Sequence, residues 1–362
     1  MFKTDKLINK KLSRLYKKGG KVTLKSTTYT INSPIKIDTP SSSLEGEVWA
    51  YNLDPNGVFE TPYGTKLRLN GKYHPAINIG SERLPAGCVL KNFGIQGDIV
   101  GMDTRGFFDI TNPKASAGLY FENNRVDQGL FKKISCCGLA SAVCVSGDAE
   151  IDACKFTEIN ADGCCLGVYF APRASYYAKF ESCIIADNPS YGFFADSCNI
   201  NPNSGLHNLF INKNHFVRNC GASKIANEPP CAVYLKNISA SEFSNNLVDA
   251  PGTYWHYDAN ATSNDERQIN ENKAVGLIVI GNKNRLLNNT FINSSCESVI
   301  INGNENIFAF NLVDSDVIID GENNVVNGLI FTKDTAKLIL KGKAVDTTTI
   351  IGVEENRIVK LV

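Results

Sequence analysis

Three stretches of the sequence concentrate side chains that could exchange protons or bind a polar ligand. They are residues 97–109, 123–129 and 169–182, and each carries an arginine. Aspartates accompany the arginine in the first two stretches, and tyrosines accompany it in the third. Arginine can bind carboxylates or sugar hydroxyls, whereas an exposed tyrosine can stack on a sugar ring or donate a proton. These stretches are therefore the first places to look for a site.

Acidic residues supply a second requirement, a pair of carboxyl groups held close together. In glycosidic bond cleavage one carboxyl group protonates the leaving oxygen, and the other attacks, activates water or stabilises positive charge at the anomeric carbon. The acidic candidates are Asp103, Asp127, Asp148, Glu150, Asp152 and Asp162. From these we predict that the catalytic residues are Asp127, Asp152, Asp103 and Asp162. Asp127 and Asp152 are separated by about one period of the repeat described below, which would place them on neighbouring turns.

Arginines and aromatic side chains form the predicted substrate-binding group. Its members are Arg105, Arg125, Arg173, Tyr176, Tyr177, Trp255 and His256. Trp255 and His256 belong to the stretch GTYWHYD (252–258), which we expect to form a long loop that walls a sugar site, contacts another subunit or caps the fold. Each of these residues also has a structural alternative, since solvated turns and ion pairs between successive turns use the same residue types.

A repeat in the sequence indicates which elements position these residues. The tetrapeptides GNKN (281–284), GNEN (303–306) and GENN (321–324) each lie between two apolar runs. Short β-rich runs recur along the chain at a nearly regular interval: GLYF (118), AVCV (142), GVYF (167), GFFA (192), AVYL (232), GLIV (276), SVII (298), DVII (316) and KLIL (337). Such a regular, short period, with no helical stretch expected after residue 20, is typical of a parallel β-solenoid.

Asparagine has a physical reason to recur in such a fold. Successive turns put equivalent residues about 4.8 Å apart, so asparagine side chains can hydrogen-bond along the stack. Asparagine and glycine also tolerate the left-handed backbone that tight turns require. The repeated tetrapeptides therefore predict ladders of stacked asparagines.

The stretch GGKVTLKSTTYTINSPIKI (19–37) resembles the opening of domains in the right-handed parallel β-helix, or pectate-lyase-like, superfamily. The resemblance extends from about residue 5 to residue 362, and the fixed leucine spacing of a leucine-rich horseshoe is absent. It implies an all-β, single-domain right-handed parallel β-helix with a short N-terminal capping helix. We expect the capping helix within residues 1–20, formed by 5–18, and the β-helix domain over 21–362, with loop insertions near 198–230 and 252–274.

Three enzyme families of this superfamily share short stretches with the chain. INADGCCLG (159–167) resembles the NTDG stretch of polygalacturonases, which implies roles for Asn160, Asp162 and Gly163, but the other motifs of that family do not follow. APRASYY (171–177) supplies an arginine, as in pectate lyases, without a recognisable calcium signature. AVGLIVIGNKNRLLNNTFINSS (274–295) is similar in layout to late turns of inulin fructotransferases. That resemblance implies a homotrimer that cleaves a terminal fructan unit by intramolecular transfer, with acids near a subunit boundary.

Composition argues against several partners. Lys+Arg and Asp+Glu each number 37, so no net charge attracts nucleic acid or an anionic membrane. No stretch approaches the roughly 18 apolar residues of a membrane span, and the basic start has the pattern of an amphipathic helix rather than a targeting peptide. The cysteines lie mostly in apolar runs without metal-knuckle spacing. We therefore expect free buried thiols, no metal, no cofactor and a cytoplasmic location.

The sequence leaves three functions open. The first is a carbohydrate-active enzyme that cleaves glycosidic bonds of an oligo- or polysaccharide by hydrolysis, elimination or intramolecular fructosyl transfer. The second is a non-catalytic glycan-binding protein, such as a phage tail or surface fibre. The third is a structural trimer or adhesin without a pocket. Resemblance at the level of the fold favours the first.

Overall fold

Short strands arranged in successive turns make up most of the chain. The computed structural model describes residues 4–15, 19–51, 53, 63–71, 74–97, 115–145, 147–197, 205–220, 229–256, 268–271 and 273–361. Within these residues the strands pair in parallel, apart from one antiparallel pair, Thr253–His256 with Gln268–Glu271. The predicted parallel β-helix is thus confirmed.

The strands form three faces around one core, and the turns that begin between Ala117 and Val275 pass through them in the same order. Face 1 consists of Ile35–Ile37, Ile77–Ile79, Ala117–Phe121, Ser141–Val145, Leu166–Phe170, Phe193–Asp196, the starts of Cys231–Ser239 and Val275–Asn282, then Val299–Asn302, Val317–Asp320, Leu338–Lys341 and Ile358–Leu361. Face 2 consists of Arg125–Asp127, Glu150–Asp152, Ala174–Tyr176, Leu206–His207 and the ends of Cys231–Ser239 and Val275–Asn282. The β-rich runs that recur in the sequence lie on face 1.

Face 3 completes each turn. Its strands are Gly20–Leu24, Thr28–Ile31, Ser42–Gly46, Lys66–Leu69, Val89–Gln96, Leu130–Cys137, Lys155–Asp162, Lys179–Glu181, Ile184–Ala186, Phe210–Asn212, His215–Val217, Glu242–Ser244, Leu247–Asp249, Arg285–Leu287, Thr290–Ile292, Ile307–Ala309, Leu312–Val313, Val325–Asn327, Ile330–Phe331 and Thr349–Ile351. One full turn, for example, runs from Ala117–Phe121 through Arg125–Asp127 to Leu130–Cys137.

The last residues of the repeated tetrapeptides form a buried ladder. Asn284 donates its amide hydrogen to Asn306 Oδ1 over 3.0 Å, and Asn306 donates in the same way to Asn324 Oδ1 over 3.2 Å. The same two acceptor oxygens also bind the backbone N–H groups of Asn284 and Asn306. All three side chains are buried. The predicted asparagine ladder is confirmed, and a second one joins Asn214, Asn246, Asn289 and Asn311.

Stacked aromatic rings and thiols fill the interior. The ring centroids of Phe131 and Phe156 lie 4.8 Å apart, and those of Phe156 and Phe180 lie 4.4 Å apart. The cysteines in the described part of the chain are free, and all but Cys296 are buried. Burial raises the pKa of the Cys183 thiol to about 12, which keeps it protonated and unreactive at neutral pH. The expectation of free buried thiols is confirmed for the described cysteines other than Cys296.

A short helix, α1 (Thr4–Arg14), closes the N-terminal end of the core. Its apolar stripe places Ile8 and Leu12 against the first strands, and Asp5 in its first turn accepts a hydrogen bond from the Ser33 hydroxyl. The predicted capping helix is therefore present, and it ends at Arg14, before the predicted limit of residue 18.

A second helix, α2 (Ala344–Thr347), interrupts the C-terminal turns. The expectation of no helix after residue 20 is wrong at this point. The segment replaces a tight turn between two strands, and the Thr347 hydroxyl donates to the Lys343 carbonyl over 2.8 Å. Over the residues described, no helix has the length and apolar character needed to span a membrane.

The outer side of face 1 is apolar and buried in its middle strands. Tyr169, Phe194 and Tyr234 occupy equivalent positions on successive strands, and their rings stack with centroid distances of 5.5 and 5.1 Å. Each is at most 5 % exposed, and they belong to a cluster separate from the core. This stretch of face 1 is therefore not open to solvent, which directs the search for a ligand surface to face 2.

Candidate functional site

A row of polar side chains runs along the outside of face 2, with one residue from each successive turn. We call it the outer row, and it consists of Asp127, Asp152, Tyr176, His207 and Ser239, which are successive Cα partners in the strand register. Residues that precede them, such as Val126, Ile151 and Leu206, are buried in the core. Because side chains alternate along a strand, the outer row points away from the core.

A sharp corner follows the outer row in each of these turns. The next residues all have left-handed backbone with φ between 49° and 57°: Gln128, Ala153, Tyr177, Asn208 and Ala240. Four of these residues, Gln128, Ala153, Asn208 and Ala240, keep their backbone N–H groups in the ladder between turns, as when Gln128 donates to the Asp152 carbonyl over 2.9 Å. The outer row is thus held by a regular backbone that hydrogen-bonds from turn to turn.

Tyr177 stands at one of these corners, with φ of 57° and 54 % of its surface exposed. We expect Tyr177→Gly to leave the free energy of unfolding unchanged to within about 1 kcal/mol, or to raise it, because glycine adopts this backbone without the steric cost of a side chain. Urea unfolding of the variant and the wild type checks this. A larger loss of stability would mean that the ring braces the corner. Loss of glycan affinity with unchanged stability would support the predicted role in substrate binding.

Arg125 links the first two carboxylates of the outer row. Its Nε lies 2.6 Å from Asp127 Oδ1, and its Nη2 lies 2.5 Å from Asp152 Oδ2. The hydrogen bond to Asp127, together with the charges of Asp127, Asp152 and Glu150, raises the pKa of the Arg125 guanidinium above its usual value. The arginine side chain is 47 % exposed and each aspartate side chain 27 % exposed, so the group is open to solvent.

A second ion pair lies beside this group. Arg173 contacts Glu150 through its Nη2, and Glu150 is the register partner of Arg125 on the neighbouring turn. The carboxylates of Asp127, Glu150 and Asp152 therefore outnumber the two guanidinium groups by one. Both guanidinium groups already bind a carboxylate of the protein.

The other half of the outer row consists of a phenol, an imidazole and a hydroxyl group, from Tyr176, His207 and Ser239. The rings of Tyr176 and His207 stack at a centroid distance of 6.0 Å with 15° between their planes. Ser239 Oγ lies 2.5 Å from His207 Nδ1. Tyr176 is 43 % exposed, so it presents a ring and a hydroxyl group to solvent.

The predicted site residues fall into four groups. The structure brings together Asp127, Asp152, Arg125, Arg173, Tyr176 and Tyr177 on face 2. Asp162 lies at the end of the face 3 strand Lys155–Asp162 and pairs with Ala186, so it is not in the outer row. Asp103 and Arg105 lie outside the described residues. Trp255 and His256 lie on the antiparallel strand Thr253–His256, in a stretch expected to be a loop, and their side chains lie outside the description.

Sequence reasoning did not place His207 and Ser239 in this site. The spacing from Asp127 to Asp152 and on to Tyr176 is nearly constant, whereas the interval from Tyr176 to His207 is distinctly longer. The extra length falls between Phe193–Asp196 and Leu206–His207. A signal was nevertheless present, because His207 and Ser239 each follow an apolar residue that is buried, as Asp127 and Asp152 do.

Metal-binding chemistry has no candidate cluster in the parts of the chain described here, where no three His, Cys, Asp or Glu side chains are grouped to hold an ion. Face 2 offers carboxylates, guanidinium groups, a phenol, an imidazole and a hydroxyl group.

The chain has the fold of the right-handed parallel β-helix proteins. No protein-family model matches it, and no curated protein matches its sequence. Among solved structures, DFA-IIIase from Arthrobacter chlorophenolicus A6 in complex with GF2 matches with a TM-score of 0.70 and 13 % identity, over 99 % of this chain and 94 % of that one. The same enzyme without its lid matches with a TM-score of 0.67 and 14 % identity, and its complex with DFA-III with 0.62 and 12 %, at the same coverage. DFA-IIIase is an inulin fructotransferase, so the resemblance in fold predicted from the late turns is confirmed.

Proposed function

We propose that the protein is a carbohydrate-active enzyme that cleaves glycosidic bonds of an oligo- or polysaccharide, with the outer row of face 2 at its active centre. The observation that carries the proposal is the pairing of Asp127 with Asp152 on adjacent turns, with Arg125 bound to both. Three of the matched structures support the substrate class, since one is described as a complex with GF2 and others as complexes with DFA-III.

The separation of the two turns favours a particular kind of carboxylate pair. Adjacent strands lie about 4.8 Å apart, which is close to the roughly 5–5.5 Å between carboxyl groups where the second group acts directly on the anomeric carbon. It is shorter than the roughly 6.5–9.5 Å that leaves room for an intervening water. The geometry therefore supports direct attack or charge stabilisation by one carboxylate.

The bond changes of such a reaction balance without an external reagent. One carboxyl group gives its proton to the leaving glycosidic oxygen as the bond to the anomeric carbon breaks, and the other carboxylate bonds to that carbon or stabilises its positive charge. Water then completes a hydrolysis, whereas a hydroxyl group of the neighbouring sugar unit completes an intramolecular transfer. In either case the incoming oxygen gives up its proton to a carboxylate, which restores the starting state.

A non-catalytic glycan-binding protein is the second candidate. The observation that favours it is the engagement of Asp127, Asp152 and Glu150 in ion pairs with Arg125 and Arg173. Exposed ion pairs between successive turns also occur as structural features with little energetic value. In that case the same face would bind a sugar chain without cleaving it.

A product screen tests the proposal. Purified protein is incubated with fructans, uronate polymers and host-type glycans, and products are followed by mass spectrometry and by absorbance of unsaturated uronates. Products one water heavier than the cleaved unit indicate hydrolysis, anhydro products without absorbance indicate intramolecular transfer, and absorbing products indicate elimination. Binding without any product would overturn the enzymatic function in favour of the glycan-binding one.

Assembly and location are part of the same proposal. We propose a homotrimer acting in the cytoplasm, as the resemblance to inulin fructotransferases and the many reduced thiols suggest. Light scattering of the purified protein measures the number of chains.

A further inference from the structure

The outer row has the dimensions of a binding track rather than of a single pocket. We infer that it binds a neutral, linear oligosaccharide of about four sugar units, laid parallel to the axis of the β-helix. The inference rests on the proposed function for the class of ligand, and it adds the orientation, length and charge of that ligand.

The first support is the continuity of the row. Each member is the register partner of the next, from Asp127 through Tyr176 to Ser239. Four steps of about 4.8 Å give a length of roughly 19 Å. Each step is close to the advance of one sugar unit in an extended chain, so the four steps between the five members of the row match about four units of a linear oligosaccharide.

The second support is the chemistry of each step. Asp127 and Asp152 offer oxygen atoms that accept hydrogen bonds from sugar hydroxyl groups. Tyr176 is exposed, and one face of its ring is held by stacking on His207. Its hydroxyl group and the remaining ring surface can contact a sugar. Ser239 and His207 add groups that donate and accept hydrogen bonds at the other end.

The third support is the way the row ends. Beyond Ser239 the register continues to Asn282, and within the described residues no strand of the following turn pairs with Asn282. Before Asp127, no further strand pairs with Arg125–Asp127 on face 2 within the described residues. The row is therefore bounded at Asp127 on one side and just beyond Ser239 on the other.

The fourth support concerns charge. Arg125 and Arg173 are both paired with carboxylates of the protein, and Asp127, Glu150 and Asp152 leave an excess of one negative charge. A uronate chain would bring further carboxylates to this surface and be repelled. A neutral sugar chain meets no such penalty.

Calorimetric titration of the full chain tests the inference. The probes are fructo-, xylo- and malto-oligosaccharides of two to eight units, with oligogalacturonates of equal length as charged counterparts. For at least one neutral series we expect the dissociation constant to fall at least about tenfold between two and four units and then to level off. Affinity that does not depend on length, tighter binding of the oligogalacturonates, or no binding in any neutral series would overturn the inference.

Two variants locate the track. Tyr176→Ala is expected to weaken binding of the four-unit ligand at least tenfold. Ser239→Ala is expected to weaken binding of the four-unit ligand severalfold and to leave the affinity for the two-unit ligand nearly unchanged. Tyr63→Ala removes a tyrosine that is 75 % exposed and lies before the face 3 strand Lys66–Leu69, and it should bind as the wild type does. Equal binding by all three variants would show that the ligand lies elsewhere.

The outcomes for the track and for the enzyme are separable. Product formation together with affinity that is independent of length would overturn the track and leave the enzymatic function standing. Length-dependent affinity that is lost in Tyr176→Ala, without product from any substrate, would support the track and overturn the enzymatic function.

Discussion

Replacing Asn289 with alanine is expected to lower the free energy of unfolding by on the order of 4 kcal/mol, because buried groups left without partners cost about 1–3 kcal/mol each. The Asn289 amide donates to the Phe243 carbonyl and to Asn311 Oδ1, each over 2.9 Å. Its Oδ1 accepts from the backbone and side-chain N–H groups of Asn246 over 2.9 and 3.1 Å. Asn289 is 1 % exposed, so solvent does not replace these partners. Urea unfolding followed by circular dichroism gives the change.

Asn304→Ala is the matched control for this variant. Asn304 is exposed, and its Oδ1 accepts one hydrogen bond, from the backbone N–H of Glu322 over 2.7 Å. Water can take that place, so we expect a loss below about 1 kcal/mol. Equal losses in the two variants would mean that the ladder contributes no more to stability than a surface turn does.

The asparagine ladders show why the fold could be predicted from the sequence. A parallel β-helix repeats one backbone environment at each turn, so the position of Asn284 recurs at Asn306 and Asn324, with the same buried hydrogen bonds. The apolar runs recur for the same reason, since each supplies one inward-facing strand. Helix α2 (Ala344–Thr347) was not predicted because it lies in the last turns and does not follow the repeated pattern of strands.

The site residues could be predicted from the sequence only where the number of residues per turn stayed regular. Asp127 and Asp152 were predicted to be neighbours from their spacing, and the register confirms that they are; their catalytic role stays a prediction. His207 was missed because the chain is longer between Tyr176 and His207. Extra length in a loop costs little conformational entropy, so a fold of this kind accepts insertions that shift every later residue relative to the repeat. Asp162 shows the opposite case: it is close to Asp152 in the sequence, but it lies on face 3 rather than on face 2.

Asp127→Asn and Asp152→Asn are each expected to lower kcat by about 10²- to 10⁴-fold, the usual contribution of a positioned acid or base. Asparagine keeps the shape of aspartate and one oxygen that can accept the hydrogen bond from Arg125, so the turn-to-turn contact is retained. It can neither donate a carboxyl proton nor act as a nucleophile. The rate is measured under saturating conditions with the substrate identified by the product screen, and the melting temperature is recorded beside it.

Glu45→Gln separates loss of chemistry from loss of charge. Glu45 lies on face 3, where it binds Lys21 over 3.3 Å and Lys91 over 3.4 Å, so it is a carboxylate ion-paired between turns, as Asp152 is, without belonging to the outer row. Its variant is expected to keep full activity. If the aspartate variants also keep their activity, the carboxylates of face 2 brace adjacent turns, and cleavage takes place elsewhere. If they lose activity at unchanged melting temperature while Glu45→Gln does not, the pair acts on the bond, because the control shows that losing an ion-paired carboxylate charge does not by itself abolish activity.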